Sequence, residues 1–199
     1  MTAGHPTVLW LPFDHHAAMP RAELRALGRA ASRTAFGLAA REWQSRHGRV
    51  GWLDAAIGHD ASGAPLVEGH PGAPAISIAH TAGLAGCAIA APGCEAPGID
   101  AEPIGAPAGD AVRRLSEETG EAALAWADAH WPLRLWCAKE ACVKAERVGA
   151  DLLGRTLRVQ HAGLLEPDGL QRLVVRTHRD RVLAVATQVV AGHVRAWTV

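Results

Sequence analysis

Apolar positions along this chain recur at two different periods, and the changes of period mark its elements. Residues 7–13 form a short apolar run that predicts a strand. Pro20 then opens a stretch in which Leu24, Leu27 and Ala31 recur at three- and four-residue intervals. That spacing predicts a helix reaching His47, although Gly28 and Gly37 lie inside it. Residues 58–74 cluster Gly, Pro, Asp and Ser, which is loop chemistry with a hairpin around residues 60–65. Two apolar runs follow, 75–79 and 84–91, with His80, Thr81, Ala82 and Gly83 between them, as in a strand pair.

Residues 96–104 read as extended, bounded by Pro97 and Pro103, and carry Asp100 and Glu102. Beyond Gly109 the pattern turns helical. Ser116 is placed as an N-cap, with Glu117, Glu118 and Glu121 in or near the first turn, where the helix dipole favours anions. Pro132 suits the first turn of another helix running to Val148, with Gly149 as its stop. From Arg155 onward the β-branched runs 157–160, 173–177, 182–190 and 194–199 predict strands, with Pro167, Asp168 and Gly169 in a turn. The order strand, helix, strands thus occurs approximately twice, repeating near residue 98, and predicts an α+β protein.

At 199 residues and 49% hydrophobic content, the chain has the size of one domain or of two small halves sharing a core. Its 20 basic and 20 acidic residues cancel, so no bulk electrostatic term favours nucleic acid or an anionic membrane. The cancellation is global and not local: residues 21–49 hold seven Arg against two Glu, and residues 95–128 hold eight acids against Arg113 and Arg114. Cys87, Cys94, Cys137 and Cys142 form no CxxC pair, and Cys137 and Cys142 lie off a common helical face, which disfavours a disulfide or a zinc site. No secretory signal is visible and no run approaches the roughly 18 apolar residues of a membrane helix. A reduced, cytoplasmic, non-membrane protein is expected. Asp14, His15 and His16 are expected on a surface loop, since adjacent histidines project differently.

Only two of the 20 basic residues are lysines, Lys139 and Lys144, and both fall in the helix after Pro132. In that helix Trp136, Glu140 and Lys144 follow one another at i, i+4 and i+8 and share a face, with Lys139 one step round. Side chains alternate along a strand, so Asp100 and Glu102 point the same way. Two carboxylates about 4 Å apart repel by roughly 4 kcal/mol at an effective dielectric near 20, so either a cation or a shared proton must separate them. Oxygen-only ligands select Mg²⁺, Mn²⁺ or Ca²⁺ over zinc.

The strings GIDAEPI (residues 98–104) and WCAKEACVKAERVGA (residues 136–150) resemble the two signature motifs of the 4′-phosphopantetheinyl transferases, G-[IV]-D-x-E and W-x-x-K-E-[AS]-x-x-K. The preceding AISIAHTAG (residues 75–83) resembles the family's S-x-S-H-[ST]-x-G segment. Three motifs in order are more specific than any one. Length and repetition point to the monomeric, surfactin-synthetase-activator-like branch. That branch implies two related α/β halves, residues 1–98 on the nucleotide side and 99–199 with the metal site and catalytic helix, forming a pseudo-dimer with the active site between them.

The resemblance implies transfer of the phosphopantetheine arm of coenzyme A to a serine of an apo acyl or peptidyl carrier protein, with release of 3′,5′-ADP. It implies Mg²⁺ on Asp100, Glu102 and Glu140, with Lys144 and Lys139 against the pyrophosphate and Glu140 as the base for the attacking serine. It further implies that His80 contacts a coenzyme A phosphate, and that Arg33, in SRTAFG, binds the 3′-phosphate together with Arg25 or Arg29. Trp136 is expected to pack the helix against the sheet. For the carrier, residues 21–49 or the group Arg147, Arg155 and Arg158 offer positive surface. Two departures fall on the nucleotide side: Ala79 replaces the serine before the histidine, and Ala64 replaces the lysine of the family's G-K-P turn. They keep open a second class of function, a module of the same fold that binds coenzyme A or a carrier without chemistry. A third, a metal-dependent phosphohydrolase, rests on the carboxylates alone.

Overall fold

The computed structural model describes residues 4–16, 18–105, 112–114, 119–124, 128–148 and 156–199. It is an α+β protein in which two long helices each cover one face of an antiparallel sheet. The first sheet holds β1 (Thr7–Pro12), β4 (Ile76–Thr81) and β5 (Leu84–Ile89) in the order β1-β5-β4. The second holds β6 (Ile99–Pro103), β7 (Arg158–Ala162), β8 (Leu170–Arg176), β9 (Val182–Val190) and β10 (His193–Thr198) in the order β6-β10-β9-β8-β7. A two-stranded ribbon, β2 (Ile57–His59) and β3 (Pro65–Val67), stands apart from both. On each side of Gly98 the first strand pairs antiparallel with the last, and the last with the one before it.

Helix α1 (Arg21–His47) buries Gly28, Ala31, Ser32, Ala35, Phe36, Ala39, Ala40 and Trp43, the stripe that a three- and four-residue spacing projects to one side. Most of those residues are small, so the helix lies close on β1 and β5, and the Trp43 indole reaches the carbonyl of Ala90 at 2.7 Å. Gly28 is no flaw in this helix, because a Cβ there would stand 2.5 Å from the His80 ring. Helix α2 (Trp131–Glu146) is buried more completely and packs on β6, β9 and β10. Arg134, 1% exposed, pins its first turns by contacting the Asp128 carboxylate, the Thr187 hydroxyl and the Gly169 carbonyl.

The two sheets meet where β4 faces β6. The Ile99 amide donates to the Ser77 hydroxyl at 3.2 Å, and Ile99 packs with Ala79 and Ala88 in a small apolar cluster that Trp10 and Trp197 flank. His193, at the start of β10, contacts the Ala82 carbonyl at 2.7 Å.

Three expectations need revision. His80 and Thr81 belong to strand β4, leaving Ala82 and Gly83 as the turn. Helix α2 ends at Glu146 with Arg147 as its left-handed cap, before the expected Gly149, which lies outside the described residues together with Ser116, Glu117 and Glu118. Glu121, expected in or near the first turn of an α-helix, opens a 3-10 turn, Glu121–Leu124, and is buried there. No helix among the described residues is long and apolar enough to cross a membrane.

Gly98 sets how closely α2 approaches β6, since a Cβ there would stand 1.7 Å from the Ala141 carbonyl oxygen. The obstacle is helix backbone, which cannot rotate away. Gly98→Ala is therefore expected to cost about 2–3 kcal/mol, at the upper end for overpacked cores, read as a lower urea midpoint at unchanged slope.

Candidate active site

Asp100 and Glu102, flanking buried Ala101 on β6, project toward α2 as strand alternation requires. From α2, Trp136, Glu140 and Lys144 come down on them from successive turns. The Lys144 Nζ stands 2.7 Å from Asp100 Oδ1, and the Trp136 indole faces Glu102 and favours its charged form. Trp136 also packs against the core of the second sheet, so the expected packing role and a polar contact coexist in one ring.

Burial dominates the electrostatics of this group. It raises the Asp100 carboxyl above its ordinary value, and Lys144 opposes the shift. Burial also raises Glu102, and the Asp100 charge adds to the effect. Glu140 is raised by burial and then by Asp100, with Lys144 offsetting part. The Cys137 thiol, pushed well above its usual range by burial and by the Asp100 and Glu102 charges, stays protonated beside them. Asp100 Oδ2 is buried without a hydrogen-bond partner among the described residues. An orphaned carboxylate oxygen between two carboxylates of raised pKa is a place where a hard cation gains most. The donor chemistry thus suits Mg²⁺, yet no three His, Cys, Asp or Glu among the described residues stand close enough to enclose a metal as they are.

Lys144 also belongs to the wall of a cleft of about 400 Å³ that opens between α1, β4, the β2–β3 turn and the end of α2. Arg29, Arg33, His59, His80, Lys144 and Arg147 line it, together with Ser32, Ser77 and the backbone at Gly63, Ala64 and Pro65, and none of its lining residues is acidic. Of the arginines expected there, Arg33 and Arg29 face the cleft; Arg25 does not line it and is bonded back to the Arg21 carbonyl. His80 lies over Gly28, and its pKa is lowered by burial and by the neighbouring Lys144 and Arg29 charges. At neutral pH the ring is therefore uncharged and offers an anion one N–H, so a phosphate contact through a raised imidazolium is not what this environment produces. Ala64 forms part of the cleft wall, whereas Ala79, buried in β4, does not line it.

Lys139 is not brought to the cleft. It is 3% exposed, on the far side of α2 from Lys144, and pairs with Glu121 at 2.6 Å. Glu121 in turn accepts the Val159 amide and the Thr119 hydroxyl. A buried carboxylate with three donors holds its lysine as a structural ion pair, so Lys139 has no reach to a pyrophosphate. Arg147 and Arg158 do not form one patch either: Arg147 pairs with Asp60, beside the β2–β3 turn, and Arg158 reaches the Thr119 carbonyl, while Arg155 lies outside the described residues. Asp14, His15 and His16 are exposed in a loop, and all four cysteines are free thiols. The D-A-S-G sequence at Asp60 signals the turn, but nothing local to either residue signals that Arg147 lines the cleft or pairs with Asp60.

No protein-family model matches the chain, and no curated protein matches it.

Carboxyls raised by burial stabilise the fold while protonated, and that contribution is lost as pH climbs from the ordinary values of 3.8 and 4.5 through the raised range. Glu102→Gln is accordingly expected to raise the neutral-pH Tm by about 2–4 °C per kcal/mol recovered, with the gain over the parent vanishing toward pH 4. Added Mg²⁺ should raise the Tm of the parent more than that of Glu102→Gln. Lys139→Met, which strands Glu121, should cost about 3–5 kcal/mol in urea unfolding.

Proposed function

We propose that this protein is a Mg²⁺-dependent 4′-phosphopantetheinyl transferase of the pseudo-dimeric kind, moving the phosphopantetheine arm of coenzyme A to a carrier-protein serine. One observation carries the reading: Lys144 at once lines the cationic cleft and pairs with Asp100 of the carboxylate group, so an anion-binding site and a cation-binding site share a wall. A pyrophosphate ester of a nucleotide needs both. The repeated strand connectivity on the two sides of Gly98, with the cleft at their junction, also supports it.

In this reading Arg29 and Arg33 hold ligand phosphate at the α1 side, the uncharged His80 donates a single hydrogen bond, and the serines of the cleft add neutral donors. Lys144 lies toward the pyrophosphate, where its ammonium stabilises charge on the departing 3′,5′-ADP. Asp100, Glu102 and Glu140 hold Mg²⁺, which when bound supplies charge neutralisation of the pyrophosphate. The serine hydroxyl attacks the β-phosphorus as its proton passes to Glu140, the Oγ–P bond forms and the P–O bond to 3′,5′-ADP breaks. Glu140 takes that proton directly or through a water, as the family resemblance implies. The proposal also has the protein acting as a cytoplasmic monomer, with the carrier as its macromolecular partner. Lys139 has no part in the chemistry.

Incubated with coenzyme A, Mg²⁺ and a set of apo carriers, the protein should add a phosphopantetheine mass to at least one of them. Glu140→Gln should lower that rate at least about 10²-fold while coenzyme A binding persists. Binding of coenzyme A without mass gain on any carrier would mark a non-catalytic module instead, and release of 3′,5′-ADP without a carrier would mark a hydrolase.

A further inference from the structure

The residue that caps α2 combines a costly backbone with a long, charged side chain. Arg147 caps the helix at φ 53, ψ 46, a left-handed conformation that glycine adopts without penalty and arginine does not. Its amide closes the helix on the Lys144 carbonyl at 3.2 Å, and its guanidinium reaches Asp60 Oδ2, beside the β2–β3 turn, at 3.1 Å.

Asp60 divides its two oxygens between two tasks. Oδ1 builds the β2–β3 turn, accepting the Ser62 amide at 2.8 Å, the Ser62 hydroxyl at 2.5 Å and the Ala64 amide at 3.0 Å. Oδ2 meets Arg147. The turn therefore keeps its shape whether or not Arg147 is present. Both side chains of the pair are about one-third exposed, at 32% and 31%, a setting in which an ion pair contributes little. Arg147 nevertheless lines the same cleft as Arg29, Arg33 and Lys144, and Asp60 is the acid that meets it. A weak pair placed beside a concentrated cationic wall yields readily to a multiply charged anion.

We propose that Arg147 is an anion-binding residue of the cleft, held by Asp60 while the cleft is empty and surrendered to a phosphorylated ligand on binding. Asp60 then sets the affinity by competition, and the pair discriminates in favour of ligands with several phosphate charges over singly charged ones. The inference rests on reading the cleft as the coenzyme A site, and concerns how that site is regulated by its own acid.

Asp60→Asn separates the two tasks of the carboxylate, because the amide oxygen can still accept the turn hydrogen bonds while the other atom no longer attracts Arg147. Titrations of metal-free protein with coenzyme A, and in parallel with inorganic pyrophosphate, followed by tryptophan fluorescence or calorimetry, test the exchange. Expected are about two- to fivefold tighter binding in Asp60→Asn with an unchanged Tm, about tenfold weaker binding in Arg147→Ala, and no further change when Asp60→Asn is added to Arg147→Ala. Weaker or unchanged binding in Asp60→Asn would overturn the proposal, as would unchanged binding in Arg147→Ala. A gain from Asp60→Asn that survives in the Arg147→Ala background would also overturn it, by showing a through-space effect of the lost charge. Should pyrophosphate bind and coenzyme A not, the transferase reading fails while the pyrophosphate series still decides the role of the pair. Binding of neither overturns both.

Discussion

Everything at the candidate site depends on how near the α2 backbone comes to β6. At Gly98 the strand begins with no side chain, and the Ala141 carbonyl occupies the space that a Cβ would take. That contact fixes the height of the helix above the strand, and with it the level at which Trp136, Glu140 and Lys144 descend on Asp100 and Glu102. Ala138 and Ala141, both fully buried, continue the same close seam. A helix held even a methyl group further out would carry Lys144 off Asp100 and widen the gap between the carboxyls. The small residues of the strand and helix are thus as much a part of the site as its charges.

The assembled charges are unfavourable for the empty protein. Three carboxyls are each raised by burial, one buried oxygen lacks a partner among the described residues, and Lys144 offsets part of the shift. A fold selected only for stability would place amides or apolar groups there, as the second charged cluster illustrates. Glu121 and Lys139 are more deeply buried than Glu102, Glu140 or Lys144, but each Glu121 carboxylate oxygen has donors and the pair is complete. The contrast separates a charge pair whose oxygens are satisfied within the fold from a charge group whose oxygens are not. Similar reasoning applies across the cleft, where cations gather on the wall and Asp60 meets one of them at the rim.

Periodicity made the order of elements readable because burial on one face of a helix or strand leaves a repeat in the chain itself. Helix α1, the hairpin of β4 and β5, and the four C-terminal strands lie close to where their apolar spacing puts them. The shared direction of Asp100 and Glu102, and the common face of Trp136, Glu140 and Lys144, were readable for the same reason. Lys139 shows the limit. Five residues separate it from Lys144, a rotation of about 140° around a helix, enough to send it to the opposite side, yet its destination depended on Glu121. Nothing local to either residue announces that pair.

The chain by itself determined which side chains share a face within each element, since dihedral geometry alone sets that, and so it determined the common direction of the β6 carboxylates and the shared stripe of Trp136, Glu140 and Lys144 on α2. Tertiary structure decided which faces meet. It lowered the His80 pKa by burying the ring and placing it beside Lys144 and Arg29, turned one lysine inward and left the other at the cleft, and set Arg147 opposite Asp60. The physical reason is that charge, desolvation and reach are properties of neighbours, and neighbours from distant segments leave no period in the sequence.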